Sequence, residues 1–265
     1  MGVEVNAMQV CFRSFCLSLG GVIVGLLATL PASAQSCQDS LHQGPARQTN
    51  STVSAADLRI PHKAWQHFEK ARAASEAGRA DVFEREADLA LAAAPAFTQV
   101  YLLRAARQLD AGQFNAAVAT IAAARQIRPE IPWSGIVLAS ALAELHRYDE
   151  AAAEMDRVRG PEADSWQAKF ERAREGIARR DVAGALHWSE LALAASPAGC
   201  IDAHLLRANA LQIAGRLAEA IAQMEAYLAS DRPLPQRAEV LQILEHTRAR
   251  MLQGNTTLLA AKFEP

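Results

Sequence analysis

The sequence is poor in the side chains from which catalytic and nucleic-acid-binding sites are commonly built. Aromatic residues make up 6% of its 265 residues, there are only four cysteines, and 27 Lys and Arg against 29 Asp and Glu leave a formal net charge of −2. That balance excludes the strongly basic surface that nucleic acid requires. The chain instead is 51% hydrophobic and rich in alanine, which favours helices because alanine loses no side-chain entropy on forming one.

Sequence motifs of catalysis and metal binding are also missing. The chain has no G-x-S-x-G nucleophile motif, no phosphate-binding loop and no H-E-x-x-H zinc motif. No two of its seven histidines have the His-x-x-x-His spacing that places two metal ligands on one helical face. We therefore expect no catalytic residues, no cofactor and no metal site, and a protein that is not an enzyme.

The first 34 residues have the pattern of a cleavable signal peptide. A weakly positive lead ends at Arg13, residues 14–30 are apolar, and Ala32-Ser33-Ala34 supplies the small residues that a signal peptidase accepts. The alternative is a membrane anchor, but the apolar run is slightly short for a full span. We expect cleavage before Gln35 and a periplasmic or secreted protein without a membrane span.

Cleavage would remove Cys11 and Cys16 and leave Cys37 and Cys200. Residues 35–60 are polar and show no sustained period, which predicts a flexible leader. At roughly 3.3 Å per extended residue, this leader is long enough to bring Cys37 to the folded body. A disulfide between Cys37 and Cys200 is one hypothesis, since disulfides persist in exported proteins; two unpaired thiols are the alternative.

From residue 60 onward the sequence repeats with a period of 34 residues. Large apolar residues spaced by 34, 34 and 35 residues recur at Phe114, Tyr148, Val182 and Leu217. Three residues after each comes an alanine: Ala117, Ala151, Ala185 and Ala220. Prolines close the units at Pro95, Pro129, Pro161, Pro197 and Pro233. Two helical patterns in each unit of this length predict an array of helical hairpins, with alanine where the helices cross closely.

Over residues 61–233 the chain resembles the tetratricopeptide repeat family. Five units also share the family's small residue in the first helix, at Ala71, Ala105, Ala139, Ala173 and Ala208. The resemblance implies an all-α fold, a right-handed α-solenoid of about five helical-hairpin repeats. Two features depart from the family pattern: the leucine expected before the small residue is present only as Leu138, and Phe83 stands where the first unit should have alanine.

Residues 234–253 predict a capping helix, because an apolar stripe that includes Val240, Leu241 and Leu244 would cover the open end of the array. The alternative is an amphipathic helix that binds a partner. Residues 254–265 are expected to form a tail.

The family resemblance implies that peptides bind on the inner face, which the first helix of each unit lines. The residues expected in this groove are Trp65, Phe68, Arg72, Leu102, Trp133, Ile136, Phe170, Arg174, Leu205 and Asn209. Apolar residues occupy the sites where some family members use lysine and asparagine to hold a C-terminal carboxylate, so a carboxylate clamp is rejected. The remaining alternatives are a groove for hydrophobic side chains and ordinary packing between helices.

These observations lead us to expect a non-enzymatic interaction scaffold or adaptor that binds a peptide or helix of a protein partner in the cell envelope. This role rests on analogy with the repeat class. Two alternatives are a structural solenoid that associates with itself and an accessory subunit of an envelope enzyme complex.

Overall fold

A computed structural model describes residues 59–196, 200–231, 234 and 236–262, with side chains described as far as residue 253. The predicted signal peptide, nearly all of the leader, Cys37, Pro197 and Pro233 lie outside these residues. The described chain is all-α, as predicted. Its helices are α1 (His62–Glu76), α2 (Ala80–Ala93), α3 (Thr98–Asp110), α4 (Phe114–Ile127), α5 (Ser134–Glu144), α6 (Tyr148–Met155), α7 (Trp166–Arg179), α8 (Val182–Ala195), α9 (Asp202–Ile213), α10 (Leu217–Leu228) and α11 (Arg237–Lys262).

The helices pack as a row of consecutive hairpins. Each odd-numbered helix from α1 to α9 contacts the even-numbered helix that follows it, and each even-numbered helix contacts the next odd-numbered one. Each unit therefore buries its apolar faces against its neighbours in the chain, which is the arrangement of a solenoid. This confirms the predicted array of helical hairpins, while its handedness stays a prediction.

The 34-residue period marks where the second helix of each unit begins. The large apolar residues Phe114, Tyr148, Val182 and Leu217 are the first residues of α4, α6, α8 and α10. Pro95 and Pro129 follow the ends of α2 and α4, as expected of a residue that cannot continue a helix. Pro161 instead lies in a single 3₁₀ turn, Gly160–Glu162, several residues after α6 has ended.

The turn inside each hairpin passes through the left-handed region of backbone conformation. Gly78, Gly112 and Gly215 have φ values of 67°, 70° and 73° in three of these turns. The equivalent positions of the other two turns hold His146 and Arg180, with φ values of 60° and 58°. A residue with a Cβ atom is strained in this conformation, so the same turn geometry is imposed here by the packing of the flanking helices.

Small residues let the two helices of a hairpin approach closely. The predicted alanines of the first helices are buried, with Ala71, Ala105 and Ala173 fully inaccessible to solvent. The nearest approach is between α7 and α8, where a Cβ atom added to Gly176 would lie 2.7 Å from the backbone nitrogen of Ala185. The close crossing inferred from the alanine pattern is therefore present in the structure.

The two ends of the array are packed by larger side chains. At the first hairpin Phe83, the departure from the alanine pattern, is 2% exposed and fills the core between α1 and α2. At the other end Val240, Leu244 and Thr247 of α11 are buried, and α11 packs against α10. One face of α11 therefore covers the last hairpin as a cap, and the helix continues to Lys262 rather than ending near residue 253.

Candidate functional site: the inner face of the array

The odd-numbered helices form one continuous face. Successive odd-numbered helices from α1 to α9 contact each other directly, whereas no comparably extensive contact joins successive even-numbered helices within the described residues. A stack whose elements lie closer together on one side curves toward that side. The odd-numbered row is therefore the inner face, on which the ten groove residues were predicted.

The structure divides these ten residues into a packed set and a half-exposed set. The packed set is Phe68, Trp133, Ile136 and Phe170, whose exposure is between 2% and 7%. The half-exposed set is Trp65, Arg72, Leu102, Arg174, Leu205 and Asn209. The centre of the apolar row thus serves packing between hairpins, and the apolar contacts left for a ligand are concentrated at Trp65, Leu102 and Leu205.

An aromatic cluster forms the first end of the inner face. The ring centroid of Trp65 lies 5.7 Å from that of Phe68 and 4.6 Å from that of Phe97, both in edge-to-face geometry. Because Phe68 and Phe97 are buried, they hold the half-exposed indole of Trp65 in a fixed position. A rigid indole in such a place offers a large contact area to an apolar side chain at low entropic cost.

A buried ion cluster lies at the centre of the face, between α5 and α7. The guanidinium of Arg174 donates to the carboxylates of Glu144 and Glu171, and at 3.4 Å to the hydroxyl of Ser140. Burial by itself would lower the pKa of Arg174, but the attraction of Glu171 and Glu144 outweighs it and raises that pKa. Arg174 is therefore fully charged, and it links two neighbouring hairpins.

The acidic residues of the inner face are each paired with an arginine. Glu76, Asp110 and Glu144, spaced by 34 residues, are the last residues of α1, α3 and α5, where a negative charge is disfavoured by the helix dipole. The arginines that contact them are Arg72 at 2.8 Å, Arg107 at 3.7 Å and Arg174. This pairing leaves the face without an uncompensated acidic row.

Polar contacts fasten the last hairpins to the cap. The amide of Gln212 in α9 donates to the hydroxyl of Thr247 in α11 at 3.0 Å. The guanidinium of Arg207 donates to the backbone oxygen of Leu186 at 2.6 Å and to the hydroxyl of Ser189 at 3.1 Å. Arg207 is one of the basic residues that replace the family's leucine, and here its charge is satisfied by α8 rather than presented to solvent.

The connection into α9 carries two unusual groups. Cys200 is 7% exposed and disulfide-bonded, and it is the only cysteine of the described residues, so its partner lies outside them. Two residues later, burial raises the pKa of Asp202 to about 6. The disulfide agrees with one half of the predicted Cys37–Cys200 pair and leaves the identity of the other half a prediction.

Sequence reasoning missed the partners of the groove arginines. The three-residue spacing of Glu171 and Arg174 on one helix is a readable signal, whereas Glu144 lies 30 residues from Arg174 and meets it only through the stacking of hairpins. Arg72 is likewise held by Glu69 at 2.6 Å and Glu76 at 2.8 Å. Both arginines, predicted to orient polar groups of a ligand, are engaged within the protein.

No protein-family model matches the chain, and no curated protein matches it. In the part of the chain that the structure describes, no group of three potential metal-binding side chains comes together. No helix there combines the length and apolar character needed to cross a membrane.

Proposed function

We propose that this chain is a non-enzymatic interaction module of the tetratricopeptide repeat type, which binds an extended segment or amphipathic helix of a partner protein along its inner face. The observation that carries the proposal is the composition of that face. Its half-exposed apolar side chains, Trp65, Leu102 and Leu205, lie on three different hairpins, while its arginines are paired with carboxylates of the protein itself. Such a surface favours apolar side chains over a charged terminus.

The family assignment is supported by agreement between the repeat and the structure. The residues that define the repeat start the second helices, and its alanines are buried where helices cross. The proposed compartment is the periplasm or the outside of the cell. It is supported by the disulfide at Cys200, because such bonds persist in oxidising compartments and are rare in reducing ones.

The test uses one variant on the inner face and a matched control on the outer face. Peptides are first selected from a random library against the chain, and their affinities are then measured for Leu102→Glu and for Leu89→Glu. Leu102 is half-buried on α3, and Leu89 is 42% exposed on α2. A charge placed in an apolar contact should weaken binding about tenfold or more, equivalent to about 1.4 kcal/mol, only in Leu102→Glu.

Circular dichroism of both variants provides the control for folding. Equal affinity of a selected peptide for a folded Leu102→Glu and for the parent would refute binding on the inner face. A loss that is equally large in Leu89→Glu would place the binding surface elsewhere.

Self-association is a second candidate function, and the exposed side of α11 favours it. Leu241 is 42% exposed and Leu252 is 64% exposed on the helix that covers the end of the array. If two copies pack through this helix, light scattering across a dilution series shows a dimer that Leu252→Glu converts to a monomer. A parent protein that is monomeric throughout the series excludes this alternative.

A further inference from the structure

The disulfide at Cys200 indicates where the chain before α1 must go. All other cysteines of the sequence, Cys11, Cys16 and Cys37, precede residue 59, the first residue that the structure describes. The partner of Cys200 within this chain therefore lies on the segment that leads into α1. Since Cys200 precedes α9, the bond connects that segment to the fifth hairpin rather than to the first.

We propose that the partner is Cys37 and that residues 38–58 form a strap along one edge of the array. Both anchor points lie on the same edge, because Cys200 comes directly before the N-terminal region of α9 and residue 59 comes just before that of α1. The connections 94–97, 128–133 and 156–165 lead into α3, α5 and α7 and lie on this edge between the anchors. The strap crosses these three connections. This arrangement does not depend on which ligand the inner face binds.

The length of the segment suits such a path. Four steps between contacting odd-numbered helices separate α1 from α9, and at about 10 Å for each step they cover roughly 40 Å. The 22 residue steps from Cys37 to Arg59 reach at most about 73 Å at roughly 3.3 Å per residue. The segment therefore spans the distance without strain, and with too little slack to leave the array.

The edge offers apolar contacts to a strap. The indoles of Trp65 and Trp166, in the first turns of α1 and α7, are half-buried. Trp166 also packs against Cys200 and Ala203, which places an aromatic surface beside the disulfide. The segment 38–58 carries the separated apolar residues Leu41, Val53 and Leu58, and a polar chain with such isolated anchors suits an edge of this kind better than a deep core.

Formation of the bond is a thiol–disulfide exchange with a small or protein disulfide as the oxidant. The thiolate of Cys37 attacks that disulfide and releases one of its thiols, and the thiolate of Cys200 then attacks the mixed disulfide and releases the second. The two cysteine thiols lose two protons and two electrons in total, and the oxidant is reduced to two thiols. A dithiol reductant reverses the exchange.

The strap stabilises the array by joining its first and fifth hairpins. The bond closes a loop of about 163 residues, and in the chain-entropy description a loop of this size strongly restricts the unfolded state. Reduction or loss of Cys37 should therefore lower the thermal midpoint by roughly 10 °C. The three edge connections should also exchange their amide hydrogens faster once the strap is released.

The test begins with the chain produced from the full sequence in an exporting host, alkylated and digested without reductant. The expected product is a monomer that contains a peptide joining Cys37 to Cys200. Cys11→Ser and Cys16→Ser are matched controls that retain this peptide, whereas Cys37→Ser loses it. A free Cys200, a bond from Cys200 to Cys11 or Cys16, or a dimer joined through Cys200 overturns the proposal.

Hydrogen exchange tests the path of the strap. Connections 94–97, 128–133 and 156–165 should be protected in the oxidised parent and lose protection both in the reduced parent and in Cys37→Ser. The agreement of the two perturbations separates the bond from any effect of the substitution itself. A Cys37–Cys200 bond whose loss leaves exchange at these connections unchanged overturns the strap along this edge.

Discussion

The close crossing of α7 and α8 makes Gly176→Ala a sharp test of how the hairpins are built. An added Cβ atom would lie 2.7 Å from the nitrogen and 3.0 Å from the Cα of Ala185, and ordinary contact begins at 3.4 Å. The backbones would have to separate by about 0.7 Å, which the 2.7 Å contact leaves no flexible side chain to absorb.

The expected loss of stability follows from two opposing effects. Overpacking a well-packed site costs about 1–3 kcal/mol, and the upper value applies here because the obstacle is backbone. Alanine regains about 1 kcal/mol of helix propensity relative to glycine. We therefore expect Gly176→Ala to lower the free energy of unfolding by about 2 kcal/mol, which corresponds to about 4–8 °C in the thermal midpoint.

Gly184→Ala, on the opposite helix, is the matched control. Its Cβ atom would meet the carboxylate of Asp181 at 2.2 Å, a side chain that can rotate away. Asp181 caps α8 by accepting the N–H of Gly184 at 3.0 Å, so loss of the cap, about 1 kcal/mol, offsets the gain in helix propensity. Thermal unfolding followed by circular dichroism compares the two variants. If Gly176→Ala is as stable as Gly184→Ala, the reasoning about the crossing is wrong.

Two further predictions concern charged groups. Arg174→Met should lower the free energy of unfolding in urea by about 3–5 kcal/mol, because it leaves the carboxylates of Glu144 and Glu171 buried without their partner; a loss below 1 kcal/mol on the same scale would show that the cluster is solvated. Burial raises the pKa of Asp202 to about 6, so the folded state binds the proton more tightly than the unfolded state and stability falls as the pH rises from about 4 through 6. Asp202→Asn should remove this fall, so that its thermal midpoint exceeds that of the parent at pH 7 by the equivalent of about 2 kcal/mol and matches it at pH 4; equal midpoints at both pH values would contradict the raised pKa.

Local features of the fold could be predicted because the residues that produce them are close in sequence. The helix starts at Phe114, Tyr148, Val182 and Leu217 follow from the apolar period. The turns at His146 and Arg180 were missed, because neither is a glycine and only the packing of the flanking helices holds them at positive φ.

The candidate site was predicted less completely, because its properties depend on neighbouring hairpins. The sequence placed Phe170 and Leu102 in one apolar row, but Phe170 is 7% exposed whereas Leu102 is half-buried. Equivalent positions of a repeat differ in exposure when the side chains stacked above and below them differ in size, and a single sequence does not show which side chains those are.

The sequence by itself determined the repeating two-helix unit, since a 34-residue period, small residues at crossings and prolines after helices act over a few turns of chain. Only the tertiary structure decided which inner-face residues remain open to a ligand and which charges are neutralised. The pairing of Arg174 with Glu144 shows the reason: residues 30 positions apart meet only when one hairpin stacks on the next, and that stacking sets both their burial and their charge.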